Sequence, residues 1–142
     1  MATETLRQKQ SRFARMVADL IRQMYAAGYE VTFGEALRSD EQAEINALGE
    51  DGRAAVATDL LDTAPALAKA LINNGKNNGI RLSIHQLKLA IDLNLFKNGV
   101  YLGETEAHRL FGEWWERQAP DARWGGRFRD GNHYSLEYNG IK

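Results

Sequence analysis

The spacing of apolar residues along the first fifth of the chain predicts one long helix followed by a short strand. Between Thr3 and Ala27, apolar side chains recur at three- and four-residue steps, which is typical of an amphipathic helix. Gly28 follows as the expected C′ residue, because glycine readily adopts the left-handed conformation that ends a helix. Apolar and polar residues then alternate over 29–33, which predicts a strand.

The next segment carries signals of further helices and a loop. Ser39 with Gln42 has the spacing of a capping box, which predicts a second helix. Thr63 before Pro65 predicts the start of another helix, ending at about residue 72. Residues 73–79 contain four asparagines and two glycines, so we expect a turn-rich loop there.

The second half of the chain changes to strand-like alternation. Apolar residues on both faces of 89–96 predict a buried strand, and Lys97-Asn98-Gly99 predicts a turn that lets 100–102 pair back. Thr105 is expected to cap a helix through about Gln118, and a last strand begins at Tyr134. The pattern predicts a single α+β domain over residues 1–142, with helices packed against a small antiparallel sheet.

Composition and charge limit the kinds of protein and the kinds of metal site that the chain could form. The 142 residues suffice for one domain with a real core, and the net charge of −1 gives no electrostatic case for nucleic acid. No apolar run approaches membrane-spanning length, and the polar N-terminus lacks the apolar core of a secretory signal. Without cysteine, any metal must be bound through nitrogen and oxygen.

Four residues of the second half have the chemistry of a metallohydrolase site. His85, Asp92 and His133 are two imidazoles and a carboxylate, which suit a catalytic zinc ion with a fourth position left for water. Asp130, close to His133 in sequence, could take the proton from that water. The placement of both pairs at predicted strand ends favours a metal site there, although a lone histidine is more often a satisfied polar residue.

Other residues with possible functional chemistry have structural explanations. His108 is expected on the exposed face of its helix, where it would be solvated. Trp114 and Trp115 are expected to fill the core below the same helix rather than to stack on glycans. Trp124 is expected to brace the Gly-rich segment that carries Asp130.

The chain resembles the M15 zinc metallopeptidases, whose members include phage endolysins and D-alanyl-D-alanine carboxypeptidases. Their first signature, S-x-H-x-x-G-x-A-x-D, is matched by Ser83, His85, Ala90 and Asp92, with Lys88 in place of the glycine. An acidic residue three positions before a histidine is their second signature, as in Asp130 and His133. Upstream, Arg38, Ser39 and Gln42 are similar to a third family pattern.

The resemblance implies a role for each matching residue, in a fold of the Hedgehog and DD-peptidase type. Zn²⁺ would be bound by His85, Asp92 and His133, with Asp130 as catalytic base. Arg38 would steady the carbonyl oxyanion or a substrate carboxylate, although a surface ion pair with Glu35 or Asp40 is equally expected. Ser83 and Gln42 would contact the substrate.

The implied activity is cleavage of peptidoglycan stem peptides, as in a phage or prophage endolysin of the L-alanyl-D-glutamate endopeptidase type. Such a lysin would be a monomer without a separate wall-binding module, made in the host cytoplasm and acting on the cell wall after release. D-alanyl-D-alanine carboxypeptidase or dipeptidase activity is the alternative. A non-catalytic wall-binding or phage structural module is a further alternative, whose mark would be the loss of Asp130.

Overall fold

The computed structural model describes residues 2–36, 51–52, 54–55, 57–58, 61, 63–72 and 84–142. The chain forms two compact units, one of residues 1–37 with 84–142 and the other of residues 38–83. The second unit contains the predicted helix at Pro65–Ile72. The Ser39–Gln42 capping box and the loop over 73–79 lie outside the described residues, and the single catalytic domain over the whole chain stays a prediction.

Helix α1 of the first unit spans Leu6–Ala26, and both of its ends follow from local chemistry. Thr5 is the N-cap, and its side chain and that of Gln8 each accept a hydrogen bond from the other's backbone N–H. Gly28, with φ +89°, ends the helix as predicted, because its N–H and that of Tyr29 donate to carbonyls of the last turn. The apolar stripe turns inward and is buried at Phe13, Val17, Leu20 and Met24.

A five-stranded antiparallel sheet forms the other layer of this unit. The spatial order is β1-β2-β5-β4, and β3 folds back on β2 through the predicted turn, where Asn98 and Gly99 both have positive φ. The α+β prediction is therefore confirmed. The strands are β1 (Glu30–Phe33), β2 (Ala90–Lys97), β3 (Val100–Leu102), β4 (Ala122–Trp124) and β5 (His133–Leu136).

The segment after β3 differs from its prediction. Thr105 does not cap an α-helix, because Thr105–His108 forms a 3₁₀ turn and the helix of the first unit that follows, α2, spans only Arg109–Gln118. The apolar stripe of α2 is narrower than expected, since Phe111 and Trp115 are buried while Leu110 is 68% exposed.

His108 is buried rather than solvated, which corrects the sequence prediction. The 3₁₀ turn directs its ring inward, where Nδ1 lies 2.8 Å from the hydroxyl oxygen of Tyr134. Burial lowers the pKa of His108 to about 4, so that the ring stays neutral at physiological pH.

Aromatic side chains fill the core between α2 and the sheet. Trp115 and Trp124 are both almost fully buried, and each indole N–H has an acceptor, the backbone oxygens of Ser135 and Gly131 respectively. The Trp124 bond confirms that this side chain braces the segment around Asp130. Along β2, Ile91, Leu93 and Leu95 belong to the core, whereas Asp92 is oriented to the opposite face.

Candidate metal centre

Strand pairing brings Asp92 and His133 together. They are direct partners in the antiparallel ladder of β2 and β5, so their side chains leave the same face of the sheet as neighbours. Asp92 Oδ1 lies 3.2 Å from His133 Nδ1. Asp92 and His133, which are forty-one residues apart in sequence, are thus brought into contact by the pairing of two neighbouring strands.

A tight turn places His85 beside this pair. His85 lies in the 3₁₀ turn Ile84–Leu87, and Lys88 then reverses the chain with φ +55°. The N–H groups of Lys88 and Leu89 donate back to the turn, to the carbonyls of His85 and Ile84. Glycine adopts this left-handed conformation without strain, and position 88 is where the M15 signature that the chain resembles has glycine.

The three side chains form one compact donor group. Their ligand atoms all lie within 4.8 Å of one another, and both histidines are buried. Asp92 Oδ1 is 3.4 Å from His85 Nε2 and 3.2 Å from His133 Nδ1. Burial would raise the pKa of Asp92, but the hydrogen bonds and charges of His133 and His85 outweigh it and lower that pKa to about 2.

The geometry of this group fits a metal such as zinc. Two donors that each lie about 2.1 Å from a tetrahedral ion are about 3.4 Å apart, close to the two measured separations. Two imidazole nitrogens with one ionised carboxylate oxygen form a donor set that zinc accepts. The group could therefore bind a metal ion.

Asp130 lies at the edge of the donor group. Its Oδ2 is 4.0 Å from His133 Nδ1, and its side chain is 51% exposed. The backbone of the segment is pinned by the Asp130 N–H, which donates to the Gly125 carbonyl, and by the Trp124 indole, which donates to the Gly131 carbonyl. The backbone of Asp130 is thus held near the donors while its carboxylate stays open to solvent.

Two glycines make this arrangement sterically possible. A Cβ added to Gly125 would lie 2.2 Å from the Asp130 carbonyl oxygen and 2.7 Å from the His133 Cβ. One added to Gly131 would lie 2.5 Å from the Thr105 Cα. The segment can pack this closely only where it has no side chain.

Glu35 is a site residue that the sequence analysis did not select. It follows β1, and its Oε2 lies 3.7 Å from His85 Nε2. Its carbonyl accepts the Asp92 N–H at 2.8 Å, so the pairing with β2 continues past the end of the strand. The only sequence signal was an acidic residue two positions after a predicted strand.

Three further residues were predicted to contact the substrate. Arg38, Gln42 and Ser83 lie outside the described residues, as do the alternative ion pairs of Arg38.

Among the residues that are described, none of the helices has the length and apolar character needed to span a lipid bilayer.

Comparison with known proteins identifies a structural neighbour. No family model matches the chain, and no curated protein matches its sequence. The crystal structure of Serratia marcescens L-Ala D-Glu endopeptidase ChiX is similar, with a TM-score of 0.52 over 89% of this chain and 79% of that one. The chain therefore shares its fold with that protein. Since the two sequences are only 17% identical, the likeness concerns the fold, and membership of the M15 family stays a prediction.

Proposed function

We propose that this protein is a zinc-dependent peptidase that cleaves the stem peptides of bacterial peptidoglycan. The observation that carries the proposal is the donor group of His85, Asp92 and His133 with the Asp130 carboxylate at its edge. The fold shared with an L-Ala D-Glu endopeptidase supports it and favours endopeptidase over carboxypeptidase action. We further propose the L-alanyl-D-glutamate bond as the target, in a monomeric endolysin of phage or prophage that acts at the cell wall.

Two buried histidines and the half-buried Asp92 would hold the metal in a fixed position. A zinc ion there would supply Lewis acidity, polarising the scissile carbonyl and making a water molecule acidic near neutral pH. Because the pKa of Asp92 is lowered to about 2, this donor is ionised throughout the physiological range. The strand register fixes Asp92 against His133, so little reorganisation is needed for both to bind the same ion.

Asp130 would act as the general base, and its place beside the donor group supports this role. Its exposed carboxylate can accept the proton of the attacking water and return it to the leaving amine. Its backbone hydrogen bond to Gly125 keeps the carboxylate close to the metal site without making it one of the three clustered donors. The presence of this acid argues against a non-catalytic module.

Digestion of purified sacculi tests the proposal directly. The protein is incubated with sacculi before and after treatment with a chelator, and then with added zinc, and the new termini are identified by mass spectrometry. We expect new L-alanine carboxyl termini that disappear with the chelator and return with zinc. Release of free D-alanine would instead indicate the carboxypeptidase, and absence of any zinc-dependent product would contradict both activities.

A further inference from the structure

The face of the sheet that carries the donor group continues along β2 beyond Asp92. Side chains of this strand alternate between buried positions in the core and half-buried positions on the opposite face. The half-buried ones are Asp92, Asn94 and Phe96. Since residues two apart on a strand are about 6.8 Å apart, this face presents three rows of side chains at about that spacing.

The middle row is polar and is centred on Asn94. Thr32 of β1 is its direct partner in the ladder, and the Thr32 hydroxyl accepts a hydrogen bond from the Asn94 amide at 3.4 Å. On the other side, the Asn94 side-chain oxygen accepts from the Asn132 amide, also at 3.4 Å. A carboxamide has two N–H donors and two lone pairs on its oxygen, so Asn94 keeps one donor and one acceptor for the peptide groups of a bound chain.

The row farthest from the donor group is aromatic. Phe96 and Tyr101 of β3 are direct ladder partners, and their ring centroids are 5.5 Å apart. Tyr101 is 55% exposed, and Glu30 of β1, an exposed carboxylate, is the ladder partner of Phe96 on its other side. The C–H groups on one face of a sugar are attracted to the face of an aromatic ring, and sugar hydroxyls donate hydrogen bonds to carboxylates. This row therefore has the chemistry of a sugar-binding site.

We propose that Phe96 and Tyr101 form a subsite for the sugar to which the stem peptide is attached, with the peptide lying over Asn94 on its way to the donor group. The inference rests on the proposed function, since it takes peptidoglycan as the substrate and the L-alanyl-D-glutamate bond as the target. It adds recognition of the glycan strand to a site that so far involves only the peptide.

Distances favour this aromatic row over the other exposed ring near the donor group. One alanyl and one lactyl unit separate the scissile carbonyl from the sugar, and at about 3.5 Å per extended unit they span about 7 Å. The sugar ring then extends beyond the level of Asn94 towards Phe96, which lies about 13 Å from Asp92 along the strand. The ring of Phe128 is only 6.0 Å from that of His133, which is too close to the donor group for the sugar.

Paired substrates with and without the sugar test the subsite. An N-acetylmuramyl stem peptide and an N-acetyl stem peptide of the same sequence are digested separately, and kcat and KM are measured for each. We expect the wild type to favour the muramyl substrate in kcat/KM by about five- to tenfold, as for one aromatic contact, and mainly through a lower KM. Tyr101→Ala should lose this preference and cleave the N-acetyl peptide as the wild type does.

Four further variants control for structural effects. Tyr101→Phe keeps the ring and should keep the preference for the sugar. Tyr101→Leu keeps an apolar contact with Phe96 but lacks a flat ring, and it should lose the preference even if the alanine variant does not fold. Tyr25→Ala, which removes a tyrosine of similar exposure (53%) from α1, should behave as the wild type. Asn94→Ala should raise the KM of both substrates, because the peptide is common to them.

Binding to the metal-free protein separates this inference from the proposed function. In chelator, N-acetylmuramyl-L-alanine should bind about five- to tenfold more tightly than N-acetyl-L-alanine, and Tyr101→Ala should abolish the difference. Equal affinities with equal kcat/KM values, a sugar preference that Tyr101→Ala retains, or an unchanged KM in Asn94→Ala would overturn the inference and leave the proposed function standing. A protein that binds the sugar through Tyr101 but cleaves neither substrate would refute the proposed function and keep the subsite. A protein that neither binds nor cleaves would refute both.

Discussion

Replacing Gly125 by alanine tests whether the close packing at this glycine positions Asp130, the proposed general base. The new Cβ would lie 2.2 Å from the Asp130 carbonyl oxygen and 2.7 Å from the His133 Cβ. Carbon atoms normally approach other heavy atoms to about 3.5 Å, so the backbone has to open by about 1 Å. Neither contact is with the end of a flexible side chain, and rotation cannot relieve them.

The expected losses follow from this displacement. Overpacking of this kind costs about 1–3 kcal/mol in the free energy of unfolding. A shift of about 1 Å in a catalytic group reduces turnover by about 100-fold. Because the same methyl group pushes on Asp130 and His133 together, we expect zinc affinity to fall as well as turnover.

Three measurements on one variant check this reasoning. Urea unfolding of the metal-free protein gives the stability, chelator competition gives the zinc affinity, and sacculus digestion gives the turnover. Gly103→Ala is the control for stability and zinc affinity, because its Cβ would meet the ring of Tyr101, which is 55% exposed and can rotate away. Wild-type stability and turnover in Gly125→Ala would show that the close packing at Gly125 does not position Asp130.

Three further substitutions test separate parts of the structure. Asp130→Asn should keep zinc affinity within about threefold but reduce sacculus digestion by about 100-fold or more, because the amide cannot accept the proton; undiminished digestion would exclude Asp130 as the base. Asp121→Asn removes carboxylate contacts to Arg12 (2.7 Å) and Lys9 (2.8 Å), and should cost about 1–2 kcal/mol at pH 7 after allowance for solvent screening. Burial raises the pKa of Asp121, but those cations outweigh it and lower the pKa to about 2, so the stabilisation is present above about pH 4 and is lost towards pH 2. In urea unfolding at the two pH values, the free energies of unfolding of the variant and the wild type should converge at the lower pH. A difference that stays constant between the two pH values would contradict this. Lys88→Gly places glycine at a position with positive φ and should raise the free energy of unfolding by about 0.5–1 kcal/mol. A free energy of unfolding below that of the wild type would show that Lys88 makes compensating contacts.

Local signals in the sequence were sufficient to predict much of the secondary structure of the first unit. Periodicity and Gly28 predicted α1 and its end, and Lys97-Asn98-Gly99 predicted the turn between β2 and β3. These features depend on residues that are close together along the chain. The clustering of His85, Asp92 and His133 was predictable for a different reason, because the spacings of these residues are recognisable in the sequence without knowledge of the strand register.

What the sequence did not predict depends on contacts between distant segments. β4 has only three residues, too few for alternation to be detected, and exists because it pairs with β5. His108 was expected to be solvated, but a 3₁₀ turn rotates it towards Tyr134 in the core. Glu35 lies beside the site because its carbonyl accepts a hydrogen bond from the N–H of Asp92, fifty-seven residues away, which no local spacing encodes.

The alternation of side chains along β2 allows the donor group to mutate independently of the core. Ile91, Leu93 and Leu95 are buried in the core, while Asp92, between two of them, belongs to the donor group. Mutations at Asp92 can therefore change the donor group without removing an apolar side chain from the core. A descendant could lose the donor group and keep the fold, and a designer could exchange the three donors on a scaffold that still folds.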